Sequence, residues 1–246
     1  MDTVTPERLE DLARVPEEII RNPYRILGVA TSASATDIRH ACEERVAALH
    51  TNTPLRATDY LSFLGKVDIT PETIERARRS LQDVKKRELH TFFWLSFAYD
   101  AAPAVRAALG QGDLASGLSI LERELQSCDG LTKVNVAHDS GLLQLMSAYL
   151  EDDIEFATAM YSCAVDILLR SAQETVPRAS SRDQACKTLL ESIAERAKGC
   201  VSHLRIADAC AICKALTDVP PSHADAASTA MWIPISPTVR GNNLFM

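Results

Sequence analysis

Residues 22–50 read NPYRILGVATSASATDIRHACEERVAALH, a stretch that dictates its own local structure almost residue by residue. Pro23 stops any helix arriving from upstream and pushes Asn22 into an extended conformation. Tyr24, Ile26, Leu27 and Val29 then form a short apolar turn, ended by Gly28, the residue best able to take a positive φ. Ser34 precedes Asp37 by three residues, a capping-box variant that opens a new helix. From there Ile38, Ala41, Cys42, the stem of Arg45, Val46 and Leu49 recur at spacings of three and four, which makes one apolar stripe. The unit is a short helix, a sharp turn and a long amphipathic helix.

The rest of the chain repeats this grammar. With nine glycines in 246 residues and an abundance of Ala, Leu, Glu and Arg, the composition favours helices. Residues 5–21 read as a helix capped by Thr5, with Pro6 at the first helical position and a break at Pro16. Residues 51–70 form a connector whose Tyr60, Leu61, Phe63 and Leu64 predict a short helix or a docked loop. A strong helical period covers residues 71–99 and ends in the cluster Phe92, Phe93, Trp94 and Phe97, which predicts a buried junction with the following helices. Helices are then predicted over 104–109, 114–128, 134–150, 153–173 and 180–216, the last with a candidate interruption near Gly199. No repeat of fixed period emerges, so the expected fold class is all-α, with helical hairpins of bundle or short-solenoid type. The expected organisation is an N-terminal helical unit over 1–100, a helical-hairpin domain over 101–217 and an extended or disordered tail over 218–246. Pro220, Pro221, Pro234 and Pro237 punctuate that tail.

Three motifs in order carry a family resemblance. Tyr24-Arg25-Ile26-Leu27-Gly28-Val29, then Asp37-Ile38-Arg39-His40-Ala41, then the run from Ala77 through Leu81 and Asp83 to Lys86-Arg87 resemble helices I, II and III of J-domains, the co-chaperone module. More loosely, the start is similar to bacterial J-like proteins that open N-P-[FY]-R-x-L-G and continue into helical repeats. The resemblance covers about the first two-fifths of the chain and implies a J-like fold there. It also implies a partner, the seventy-kilodalton heat-shock ATPase, contacted through a His-Pro-Asp loop and a basic helix II. At that loop this chain carries His50-Thr51-Asn52. Loss of the proline frees the loop's φ, and loss of the acid removes a charge able to pair with an arginine. Helix II mixes Glu43 and Glu44 with Arg39, His40 and Arg45, which weakens electrostatic steering toward an acidic partner. The expected partner-binding residues are therefore His50, Thr51 and Asn52 with Arg39 and Arg45, in a loop altered away from normal ATPase stimulation.

Other candidate chemistry is weaker. Cys200, His203, Cys210 and Cys213 are spaced like zinc ligands, but the intervening residues are helix-forming. A continuous helix would spread the four over about 20 Å, too far to share one metal. His138-Asp139-Ser140-Gly141 invites comparison with a nucleophilic triad, yet neighbours on one helix point apart, and capping of a helix from Gly141 is the expected role. Glu151, Asp152 and Asp153 suit the start of the next helix. No nucleotide-binding or metalloprotease motif occurs, so no enzyme, cofactor or metal is expected. The net charge of −7 argues against a general nucleic-acid binder, although Arg76, Arg78, Arg79, Lys85, Lys86 and Arg87 form a local basic run. An acidic start without an apolar core, no membrane-spanning run and seven scattered cysteines predict a cytoplasmic protein with reduced thiols. The expected function is non-enzymatic protein–protein interaction, with another protein, a chaperone ATPase or a component of a larger complex, as partner. The alternative is a working co-chaperone.

Overall fold

The computed structural model describes residues 15–51, 53, 60–150 and 154–202, and every regular element among them is helical. In chain order these are α1 (Glu17–Ile20), α2 (Pro23–Leu27), α3 (Ala35–His50), a single 3-10 turn (Ser62–Leu64), α4 (Pro71–Gln82), α5 (Val84–Phe92), α6 (Ala102–Gly110), α7 (Leu114–Ser127), α8 (Gly130–Leu150), α9 (Ile154–Thr175) and α10 (Ala179–Ser202). The fold is all-α. Among the described residues no helix is long and apolar enough to cross a membrane. The expected helix before Pro16 and the tail over 218–246 lie outside the described residues.

Local signals explain the N-terminal helices. Asn22 is extended, with φ −59° and ψ 132°, and its side-chain oxygen accepts the Tyr24 N–H. Gly28 ends α2 at φ 67°, a left-handed conformation that costs any other L-residue about 1–2 kcal/mol. The Ser34–Asp37 box forms in full, with Asp37 N–H donating to Ser34 Oγ at 3.2 Å and Ser34 N–H donating to Asp37 Oδ2 at 2.8 Å. These bonds hold the Asp37 carboxyl below its ordinary pKa. Ile38, Cys42 and Arg45 are buried on one stripe of α3, with Ala41, Val46 and Leu49 packed beside them.

The helix expected over 71–99 is two helices. Asp83 turns the chain out of α4 at ψ 116° and then caps α5, its Oδ1 accepting the N–H groups of Lys85 at 3.0 Å and Lys86 at 3.2 Å. Helical period alone does not reveal this break, because an Asp can sit within a helix or start one.

Helices α2 and α3 pack on α4, whereas α5 reaches the other way, onto α9 and α10. Helix α6 pairs with α7, α7 with α8, and α8 with α9 in the most extensive helix pair. Helix α8 is buried on nearly all sides, from Val136 through Tyr149. Gly141 makes its contact with α9 possible: a Cβ there would meet Ile167 Cγ2 and Leu168 Cγ at 3.0 Å. Helix α10 runs through Gly199 without interruption.

The aromatic run ties the two directions together. Phe92 and Phe93 are fully buried and meet edge to face at 5.0 Å, with Trp94 and Leu95 buried beside them. His138 Nε2 lies 2.9 Å from the Phe92 carbonyl, which seats α8 against the end of α5.

Candidate functional site

The solvent face of α3 and the turn after it hold most of the expected partner-binding residues. Arg39, His40, Glu43, Glu44 and His50 are exposed on α3, and Thr51 follows as its C-cap. Arg39 Nε lies 4.0 Å from Glu43 Oε1, so part of its charge is answered one turn along the same helix. Thr51 keeps its polar groups on the helix: its N–H donates to the Ala47 carbonyl and its hydroxyl to the same oxygen, both at 3.0 Å. The hydroxyl also lies 2.8 Å from Thr53 Oγ1. Asn52 lies outside the described residues. Arg45 does not belong to this surface. It is 9% exposed and shares the buried stripe of Ile38 and Cys42, because its long stem packs inward.

The motif over 22–28 faces inward as well. Asn22 is fully buried, and its amide donates to the carbonyls of Glu18 (2.8 Å), His90 (2.9 Å) and Phe93 (3.3 Å). Arg25, 4% exposed, donates to the carbonyls of Ile20, Leu61 and Gly65 at 2.7–2.9 Å, which pins the connector before α4. Thr91 Oγ1 donates to the Arg87 carbonyl and so accepts from the Tyr24 hydroxyl at 2.9 Å. That hydroxyl in turn accepts from Arg87 Nε at 3.3 Å. The other arm of Arg87 donates to the carbonyls of Thr31 and Ala33 at the turn before α3. These side chains lock α2, α3 and α5 together and present no open chemistry. Sequence reading passed over them as a set, although a polar residue directly before Pro and an arginine inside an apolar turn were the available signals.

The His138-Asp139-Ser140-Gly141 segment does not cap a helix. It lies in the middle of α8, where packing on both sides keeps the helix continuous, and all four residues are buried. Asp139 instead caps a loop. Its carboxylate accepts from Ser96 N–H (2.8 Å), Ser96 Oγ (3.2 Å), Phe97 N–H (3.0 Å) and the Tyr99 hydroxyl (3.0 Å). His138 Nδ1 is 3.3 Å from the same group. Burial and the neighbouring carboxylate push the Tyr99 phenol far above its ordinary pKa, so it stays a donor. This grip holds Phe97 at φ 50° and sets its ring under the Arg106 guanidinium, 4.6 Å away. Arg106 also lies 5.4 Å from the Tyr60 ring, so the connector and α6 meet across it.

Among the described residues no group of His, Cys, Asp or Glu is arranged to hold a metal. Cys200 falls within α10, and His203, Cys210 and Cys213 lie outside the described residues, as do Glu151, Asp152 and Asp153. Burial raises the thiol pKa of Cys42, of Cys163 and of Cys186, the last to about 11, which disfavours nucleophilic thiolates. Comparison with protein-family models, with curated proteins and with solved structures gives no match.

Proposed function

We propose that this protein is a non-enzymatic interaction scaffold, in which a J-like N-terminal unit serves as framework and does not stimulate a chaperone ATPase in the normal way. The observation that carries this reading is the state of the α3 face. Arg45 is buried, Arg39 sits beside Glu43, and the Thr51 hydroxyl is turned onto its own helix. A surface of mixed sign with its loop hydroxyl already satisfied offers little electrostatic steering to an acidic ATPase. The inward use of Asn22, Tyr24, Arg25 and Arg87 fits a framework role for the motif-bearing residues.

A second reading, residual co-chaperone activity, draws on one feature: His50 remains exposed at the end of α3. One assay separates the two. Steady-state ATP hydrolysis by a purified seventy-kilodalton heat-shock ATPase is measured with the full chain, with His50→Gln, and with Thr51→Pro/Asn52→Asp. The scaffold reading expects no stimulation by the wild type. Stimulation that His50→Gln abolishes and Thr51→Pro/Asn52→Asp enhances would overturn it in favour of the co-chaperone.

A further inference from the structure

Arg106 on α6 is half-buried, yet its guanidinium makes no hydrogen bond or ion pair among the described residues, and its Nε is closed off from water without a partner. Arg25, Arg78 and Arg87 each spend theirs on carbonyl or carboxylate oxygens. What holds Arg106 is aromatic. The centre of the Phe97 ring lies 4.6 Å from the guanidinium carbon and that of the Tyr60 ring 5.4 Å, and the two rings meet edge to face at 5.7 Å. A ring face attracts the charge of a guanidinium and restricts its motion, but the N–H donors along its edge still need oxygen partners.

The backbone is strained to build this arrangement. Among the described residues Phe97 is the one non-glycine with a positive φ, a conformation that persists in an L-residue only where its surroundings impose it. Asp139 imposes it from α8, by accepting from the Ser96 and Phe97 N–H groups and from the Tyr99 hydroxyl. A buried clamp thus maintains a ring beside a cation whose hydrogen-bonding groups are left unused. The hydroxyl of Tyr60, on a half-buried side chain of the same cluster, likewise makes no hydrogen bond among the described residues.

We propose that Arg106, framed by Phe97 and Tyr60, is the recognition point for a carboxylate on a protein partner, an Asp or Glu side chain flanked by an apolar residue that lies on the exposed part of the two rings. This deepens the scaffold reading by giving its partner a chemistry, and it rests on that reading. A carboxylate is planar, carries one charge and accepts two parallel bonds from the guanidinium fork. A phosphate-rich partner is disfavoured, because Arg106 is a single cation on a chain of net charge −7, with Asp139 and Glu124 both facing the adjoining Tyr99 and Asp100 exposed next to it. The rings hold the guanidinium in place before a partner arrives, so binding orders little that is not already ordered.

The probe is a library of random dodecapeptides displayed on phage, selected on the full chain and counter-selected on Arg106→Gln. Enriched peptides are expected to share an Asp or Glu beside an apolar residue. A synthetic copy should bind the wild type, and replacing its acid by the amide should weaken binding more than about tenfold. Arg106→Lys keeps the charge without the fork and should lose most of that discrimination between acid and amide. Phe97→Gly keeps the left-handed backbone without the ring and should weaken the acid peptide several-fold. Circular dichroism checks that every variant is folded. Acetate should compete with the peptide, and inorganic phosphate at equal ionic strength should not. The proposal is overturned by a selection that yields no peptide dependent on Arg106, by equal binding of acid and amide peptides, or by phosphate that displaces the peptide better than acetate. The ATPase assay above reads the loop at His50, which none of these variants touches, so the scaffold reading and this site fail separately.

Discussion

Asp139→Ala removes a single acceptor group that holds the loop between α5 and α6 onto α8. The substitution takes away the oxygens that accept from Ser96 N–H, Phe97 N–H and the Tyr99 hydroxyl. An orphaned buried donor costs about 1–3 kcal/mol. Tyr99 is 8% exposed and its hydroxyl takes the full penalty, whereas the amides of half-buried Ser96 and Phe97 recover part of theirs from water. Loss of the buried anion relieves its own desolvation, but the donors stay fixed by the chain. The net destabilisation works out at about 3–5 kcal/mol. Tyr99→Phe in the wild type should cost about 1.5–3 kcal/mol, since its hydroxyl donates to a charged group, yet in the Asp139→Ala background it should cost nothing or stabilise, because the orphaned hydroxyl goes with it. Urea unfolding of the four proteins in this cycle gives the coupling energy, and hydrogen exchange at Ser96 and Phe97 gives the local effect. A loss below about 1 kcal/mol for Asp139→Ala, or strictly additive energies in the cycle, would refute the reasoning.

Further outcomes follow from the same contacts. Gly141→Ala should lower stability by about 1–2 kcal/mol in thermal melts, since a Cβ 3.0 Å from Ile167 and Leu168 outweighs the gain in helix propensity. Arg25→Lys should cost about 2–3 kcal/mol and speed exchange near Leu61 and Gly65, because an ammonium cannot reach three carbonyls that a guanidinium spans. His90 is held neutral, chiefly by burial and secondarily by the Lys86 charge, its pKa lowered from 6.5 to about 4. The unfolded chain therefore takes up the proton first. The stability tied to neutral His90 is complete above pH 6.5 and drains away as pH falls toward 4. Urea titrations of His90→Gln should lose that part of the slope.

Much of the architecture is legible in the residues. The Asn22-Pro23 start, the Gly28 turn, the Ser34–Asp37 box and the stripe from Ile38 to Leu49 all act within a few positions of one another, so local propensity and capping suffice to predict α2 and α3. The ends of α6 to α9 fall within a few residues of expectation for the same reason, since Gly and Asp near their boundaries act locally. The buried aromatic run after α5 was legible from its apolar density alone.

What only the tertiary structure decided is the use of side chains whose partners are remote in the chain. Asn22 meets residues 68 and 71 positions away, Arg25 meets Leu61 and Gly65, and Asp139 reaches back more than 40 positions to cap a loop. Helical period puts the stem of Arg45 on the buried stripe but leaves open where its guanidinium ends. Expected at a partner surface, the whole side chain is buried once the helices have packed. The same holds for charge: six cations in one run look alike in sequence, and only the fold hands two to Glu75 and one to the turn before α3. Propensity and capping are short-range and written in the chain, whereas satisfaction of buried polar groups is a long-range constraint that exists only once the helices have packed.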